Sequence, residues 1–339
     1  MRSYAPAAGT ALLAALCTVS FPLVAQSTTP SMFTVPAWAF PLVNPSGPVP
    51  PPDSVELVRI PNSTRAFTRK QVGNGFDSVD WFPEQHPRMP APVQYGVRPD
   101  GRACALCHLP DGQGRPENGT LAGLPVEYIV RQMRAFRDET RVSAAPGSPT
   151  GSMHRVAKGF TNDDDIRLAA QYYSRLRLTR RNVIREVRDV PKTTIAGMLY
   201  AYNGDGTEPI AGRLIEVPET LERHELKDPW VPYITYVPVG SVARGRTLAT
   251  RGPAGAATAC ATCHGPTLLG VGEVPAIAGR SPTNMLRQLI NFRTRARHDS
   301  TAAPMYAVSD VLSLNDMVAL AAYIGSLPPS APSRRAARR

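Results

Sequence analysis

The chain has 339 residues, a length that favours two or three domains over a single core. Hydrophobic residues make up 42 % and charged residues 19 %, and no run of about 20 apolar residues follows the N-terminus, so a polytopic membrane protein is excluded. Lysine and arginine exceed aspartate and glutamate by 38 to 27, a net charge of +11 that alone admits nucleic acid, an acidic partner or an anionic membrane surface.

At the N-terminus, Arg2 precedes an apolar stretch from Ala7 through Leu16 to Val24, closed by the small residue Ala25. This pattern predicts a signal peptide over 1–25 and export to the periplasm. Cys17 follows bulky Leu16 and is not read as a lipidation site. The 35 prolines, about twice the usual share of roughly 5 %, keep long helices few. They concentrate in an extension over 26–90, where Pro48, Pro50, Pro51 and Pro52 form a polyproline-like linker. Trp81, Phe82 and Tyr95 are read there as packing anchors, with cover over a nearby cofactor as the alternative.

Four cysteines follow the signal segment, as Cys104-Ala-Leu-Cys107-His108 and Cys260-Ala-Thr-Cys263-His264. Two thiols about one helical turn apart match the two vinyl groups of a haem, and the adjacent histidine projects a ring nitrogen at the iron from the same segment. A zinc site explains the thiols but not a histidine directly after each pair. Disulfides between residues three apart close very small loops and stabilise little, and a thioredoxin-like pair needs neither duplication nor histidine. The spacing therefore points to two covalently attached haem c groups.

An offset of 156 superposes much more than the motifs: Pro110 on Pro266, Gly114 on Gly270, Ala122-Gly123 on Ala278-Gly279, Arg131-Gln132 on Arg287-Gln288, Phe136-Arg137 on Phe292-Arg293, and Arg141 on Arg297. The chain thus holds two copies of one module, expected over 91–180 and 239–329. Each ends in an amphipathic helix, carrying Ile166, Ala169, Ala170, Tyr173 and Leu176 in the first and Met317, Leu320, Ala321, Ile324 and Leu327 in the second. Asn162 with Asp165, and Ser313 with Asp316, are the expected cap pairs.

Met153 and Met305 lie 45 and 41 residues beyond the two histidines and correspond at offset 152. They are the candidate sixth iron ligands, a thioether favouring the ferrous state relative to a second imidazole. His154 is the rival of Met153 and His298 that of Met305; His86 and His224 lie outside both modules and are read as surface or structural. Arg137 and Arg293 are candidate partners of the haem propionates. Between the modules, 181–238 shifts toward Val, Ile, Thr and Tyr, predicting a β-rich linker with a hairpin turn at Asn203-Gly-Asp-Gly206. Residues 330–339 form a basic tail in which Arg334, Arg335, Arg338 and Arg339 hold four of the excess charges.

These residues resemble the class I cytochromes c, specifically the tandem dihaem carriers of bacterial periplasms. The matching features are both CxxCH motifs, Leu121-Ala-Gly123 and Ile277-Ala-Gly279, Gln132 with Phe136, Gln288 with Phe292, the methionines and the closing helices; together they cover about half the chain. The resemblance implies a mainly α fold, two tandem haem domains joined by the β-rich linker. Cys104, Cys107, Cys260 and Cys263 then anchor the haems, and His108, Met153, His264 and Met305 ligate iron. It also implies a carbonyl accepting the proton of each ligand histidine, usually from proline: Pro275 fits, whereas the first copy has Gly119. The family opens each module with a helix crossing the last; Ser241 to Thr250 suits the second, but prolines block its counterpart in the first, leaving Thr68 to Val79 as the candidate substitute.

The expected function is single-electron carriage between a periplasmic dehydrogenase and a downstream cytochrome or terminal oxidase, without bond chemistry and without nucleic acid. Peripheral contact with a membrane is compatible with the charge. A dihaem peroxidase is the enzymatic alternative, disfavoured because both copies keep a methionine. A cytochrome subunit held within a dehydrogenase complex shares all the chemistry.

Overall fold

The structure is a computed structural model describing residues 1, 33–42, 52–148, 150–253 and 258–329. Beyond Met1, the expected signal peptide lies outside the described residues, as do most of the polyproline-like segment and the basic tail.

In the N-terminal region, β1 (Leu57–Val58) pairs antiparallel with β2 (Phe67–Thr68). Helix α1 (Arg69–Val72) follows under a capping box in which Thr68 and Gln71 satisfy each other's backbone N–H groups. Val72, Val79, Trp81 and Phe82 are buried together with Leu226, and Trp81 Nε1 donates to the Leu226 carbonyl at 2.8 Å. Trp81 and Phe82 are therefore packing anchors, whereas Tyr95 is exposed and anchors nothing in this cluster. This segment docks on the insert and not on the last helix of the first module, which corrects the expectation for Thr68 to Val79.

The first module comprises α2 (Ala91–Gln94), α3 (Ala105–His108), α4 (Val126–Arg137), α5 (Thr150–Gly159) and α6 (Asp163–Ser174). Prolines confine α2 to one turn, with Pro90 at the N-cap and Pro92 in the first turn, where a missing N–H costs nothing. That turn suffices: Met89 and Val93 are buried in one cluster with Ala170 and Tyr173 of α6. Asn162 caps α6 by accepting from the Asp164 N–H; Asp165 is not the partner.

The insert is more than a hairpin. β3 (Asn182–Val187) runs parallel to β7 (Tyr233–Pro238), which pairs antiparallel with β6 (Ile215–Pro218). The chain thus enters and leaves the insert side by side in one direction. Between these strands lie a separate ribbon, β4 (Asp189–Ala196) with β5 (Leu199–Pro209), and the short α7 (Leu221–Glu225). The ribbon reverses at Gly197, whose φ is 63°, and not at Asn203-Gly-Asp-Gly206. Those four residues stay within β5 opposite Lys192, as an irregularity made possible by Gly204 and Gly206 at φ 84° and 82°.

The second module comprises α8 (Ser241–Arg251), α9 (Cys260–His264), α10 (Pro282–Arg293), α11 (Ala303–Ser309) and α12 (Leu314–Ser326). α12 is buried on almost every face, including Met317, Val318, Leu320, Ala321 and Ile324, and opens on a reciprocal capping box between Ser313 and Asp316. α8 crosses it at Gly245, where a Cβ would overlap the carbonyl oxygen of Ala319. No single described helix is long and apolar enough to cross a membrane.

Candidate functional site

The duplicated sequence folds into duplicated backbone. Directly after each motif histidine the chain reverses through the left-handed region, at Leu109 (φ 67°) and Gly265 (φ 81°). Gly112 matches Leu268, Gly114 matches Gly270 and Gly123 matches Gly279, all at positive φ. A leucine thus holds this conformation once in each copy, where the other copy has glycine. The strain, of order 1–2 kcal/mol for a non-glycine residue, is offset by burying each side chain almost completely.

This reversal carries the histidine's second hydrogen bond. His108 Nδ1–H donates to the Gly119 carbonyl at 2.6 Å and His264 Nδ1–H to the Pro275 carbonyl at 2.8 Å, each across 11 residues. Glycine therefore serves as well as proline, because the acceptor is backbone. The tautomer is set, leaving Nε2 as the ring atom able to bind a metal. The Gly114 N–H returns to the His108 carbonyl at 3.0 Å and the Gly270 N–H to the His264 carbonyl at 2.9 Å, closing the same loop in both copies.

Cys104, Cys107, His108 and Met153 all line one cavity of about 210 Å³, walled on its apolar side by Leu124, Ile129, Phe160, Ile166 and Tyr173. Cavities of about 150 Å³ with such walls admit a benzene-sized guest, so this one suits a flat apolar group. Burial drives the His108 imidazolium pKa down to about 4, against the opposing bond to Gly119, so the ring is neutral and ready to ligate. Burial also pushes the Cys104 thiol up to about 12 and the Cys260 thiol to about 11, while His264 is lowered by the same cause. Among the described residues no three His, Cys, Asp or Glu side chains gather as a metal cluster, and all four cysteines are free thiols, so the disulfide reading fails as well.

A ring nitrogen, a thioether and two thiols around one apolar cavity are a donor set that fits haem c. His154 points elsewhere: its Nε2–H donates to the Arg141 carbonyl at 2.9 Å. In the second module Cys260, Cys263 and His264 sit on α9 and half-buried Met305 on α11, after α10, in the same order as in the first. His298 is exposed, with Nδ1 on the Arg295 carbonyl at 3.1 Å.

The other histidines are buried structural groups, and neither is a surface residue. His86 lies 3.2 Å from Asp80, and His224 bridges Glu117 at 3.4 Å and the Tyr233 hydroxyl at 2.9 Å. Arg137 and Arg293 are not cavity residues: Arg137 bonds Asp163 at 3.1 Å and Arg293 lies 3.7 Å from Asp310. The cavity is lined instead by Arg141, Tyr128 and Gln132, together with Arg280, Arg287 and Gln288 of the other half. Arg141 was visible in the sequence only as a member of the repeat, and Gln132 as that and as part of the family resemblance.

Residues 242–328 match the Cytochrome c family model. A curated relative, the thiosulfate dehydrogenase electron acceptor of Thiomonas intermedia (strain K12), is 26 % identical over 71 % of this chain and 86 % of its own. Among solved structures, thiosulfate dehydrogenase TsdBA of Marichromatium purpuratum is 28 % identical at a TM-score of 0.44, covering 69 % of this chain; this chain spans 38 % of that one. Reduced cytochrome c4 of Pseudomonas stutzeri is 21 % identical at a TM-score of 0.43, covering 66 % of this chain and 93 % of that chain. Residues 242–328 thus carry a cytochrome c domain, and the chain is similar over 71 % of its length to an electron acceptor of thiosulfate dehydrogenase.

Proposed function

We propose that the protein is a dihaem c-type cytochrome of the periplasm that takes single electrons from a dehydrogenase oxidising thiosulfate and passes them to a downstream cytochrome or terminal oxidase. The observation that carries the two-haem reading is the duplicated histidine geometry, in which each motif ring donates through Nδ1 to a carbonyl 11 residues on. The donor is chosen from the resemblance to an electron acceptor of thiosulfate dehydrogenase.

When bound, each haem supplies a one-electron ferric/ferrous change. The chain's own part is to tether it through Cys104 and Cys107 or Cys260 and Cys263. It also presents one imidazole and one thioether, His108 with Met153 and His264 with Met305, and excludes water from the apolar wall. Cys263 is exposed and Val271 is 59 % exposed, so the second site has an apolar edge open to a partner. A net charge of +11 favours encounter with acidic partners.

The test is stopped-flow mixing of the oxidised protein with a thiosulfate dehydrogenase and thiosulfate. Reduction of both haems within turnover time supports the reading. Reduction no faster than with thiosulfate alone overturns the choice of donor, and a protein that turns over peroxide with a ferrous donor overturns the carrier role.

A further inference from the structure

Arg280, 5 % exposed on the turn that leads into α10, touches the histidine loops of both modules. Within its own module Nε donates to the Ala276 carbonyl at 2.5 Å. Across the junction Nη1 donates to the Thr120 carbonyl at 2.9 Å and Nη2 to the Ala122 carbonyl at 3.3 Å. Thr120 and Ala276 are the same position of the repeat, at offset 156. Each directly follows the residue whose carbonyl accepts from the motif histidine, Gly119 for His108 and Pro275 for His264.

The repeat is broken at this position. The counterpart of Arg280 in the first module is Leu124, buried in the apolar cluster there. One arginine therefore serves two loops, and no equivalent donor reaches back from the other copy. Burial lowers the Arg280 pKa to about 10, with Tyr128 opposing, so the guanidinium stays charged at neutral pH. A buried cation is costly unless its donors are satisfied, and here three backbone carbonyls accept from it. Each of the two equivalent carbonyls belongs to the peptide plane next to the histidine's acceptor. Only one Cα separates the planes, so fixing the one restricts rotation of the other.

We infer that Arg280 is a positioning residue shared by the two centres: from the second module it holds the carbonyl-bearing loops of both copies and so sets the His108 and His264 rings together. The inference rests on the dihaem reading above. A ring held through Nδ1 presents Nε2 in one direction, and the bond at Nδ1 raises the basicity of the ring toward a metal. Loosening both loops alters both centres, although only one module is substituted. The planar fork is what spans the carbonyls of two loops; the compact ammonium of a lysine carries the same charge without that reach.

The experiment follows solvent exchange of the two ring Nδ1–H protons by NMR, on the fully reduced full-length protein with isotope-labelled histidine, after its mass has established two haems. Arg280→Met fills the space without donors, Arg280→Lys keeps the charge, and Arg246→Met, at an exposed position of α8, is the control. Both Arg280 variants are expected to speed exchange at His108 and at His264 by about tenfold, roughly the worth of one hydrogen bond at each loop; the control changes neither. Acceleration at one ring alone, at neither ring, or by the Met variant but not the Lys variant overturns the proposal. Should neither Arg280 variant assemble, exchange in the unsubstituted protein decides. Its two rings are expected to open as one unit, with rates within about tenfold of each other, and a wider gap overturns the proposal. A mass showing fewer than two haems overturns the dihaem reading instead.

Discussion

Arg141 and Arg297 occupy the same position in the two copies of the repeat and face each other as neighbours in an antiparallel bridge. Such a meeting of equivalent residues makes the relation between the modules a local two-fold. The same elements from each copy, α4 with α10 and the turns after them, build the junction.

The sixth ligand of the first site is tested by paired substitution. Met153→Ala is expected to abolish the sulfur-to-iron charge-transfer band of one haem and lower its potential. His154→Ala is expected to leave both unchanged, since the His154 ring is committed to the Arg141 carbonyl. The absorption spectrum of the oxidised protein reads the outcome; loss of the band in the His154 variant would reverse the assignment.

Helix crossing in the second module depends on the absence of a side chain. Gly245→Ala forces apart α8 and α12 at Ala319, an overpacking worth about 1–3 kcal/mol or more. Gly151→Ala, in α5 with open space around it, is expected to stabilise by about 0.5–1 kcal/mol. Denaturant midpoints measured on the two variants should move in opposite directions.

Much of this was legible in the sequence, for a physical reason: haem tethering is a local affair. Cys104, Cys107 and His108 need only one helical turn, so their spacing carries the chemistry, and the repeat located the closing helices and their apolar faces. Long-range relations were not legible. Offset 156 shows that Arg141 equals Arg297, but equivalence does not say that the two touch. Arg137 is the propionate candidate that the sequence offers, but its guanidinium is paired with Asp163 on a neighbouring helix. In the insert, the glycines of 203–206 suggested the hairpin reversal, whereas a single glycine at 197 makes it. The parallel pairing of β3 with β7 joins segments too far apart for any short pattern to reveal. Proline was read as forbidding the first module's crossing helix, yet Pro90 and Pro92 still permit one turn.

Histidine 86 gives a stability signature independent of the haems. Burial alone lowers its pKa, but the bonds to Asp80 and the Pro87 carbonyl outweigh burial and the pKa is raised in the folded state. Its charged form therefore stabilises the fold below pH 6.5, and that contribution disappears as pH rises through the raised value. His86→Gln is expected to lower the unfolding midpoint more at pH 5.5 than at pH 8.5. An equal loss at both, traceable to the Tyr172 hydroxyl bond alone, would contradict the ion pair.

The basic surface makes partner encounter sensitive to salt. Between about 0.01 M and about 0.15 M salt the Debye length shrinks from about 30 to about 8 Å, and the second-order rate of reduction by an acidic donor is expected to fall by about tenfold. A rate independent of salt, measured by stopped flow, would remove steering from the account.

The central claim is that each duplicated thiol pair carries its own tetrapyrrole. Intact mass of the mature protein, purified from a host with a cytochrome c maturation system, tests it directly. The account predicts two covalent haem equivalents per chain, falling to one when Cys104 and Cys107, or Cys260 and Cys263, are replaced by alanine. One equivalent or none in the unsubstituted protein would contradict it.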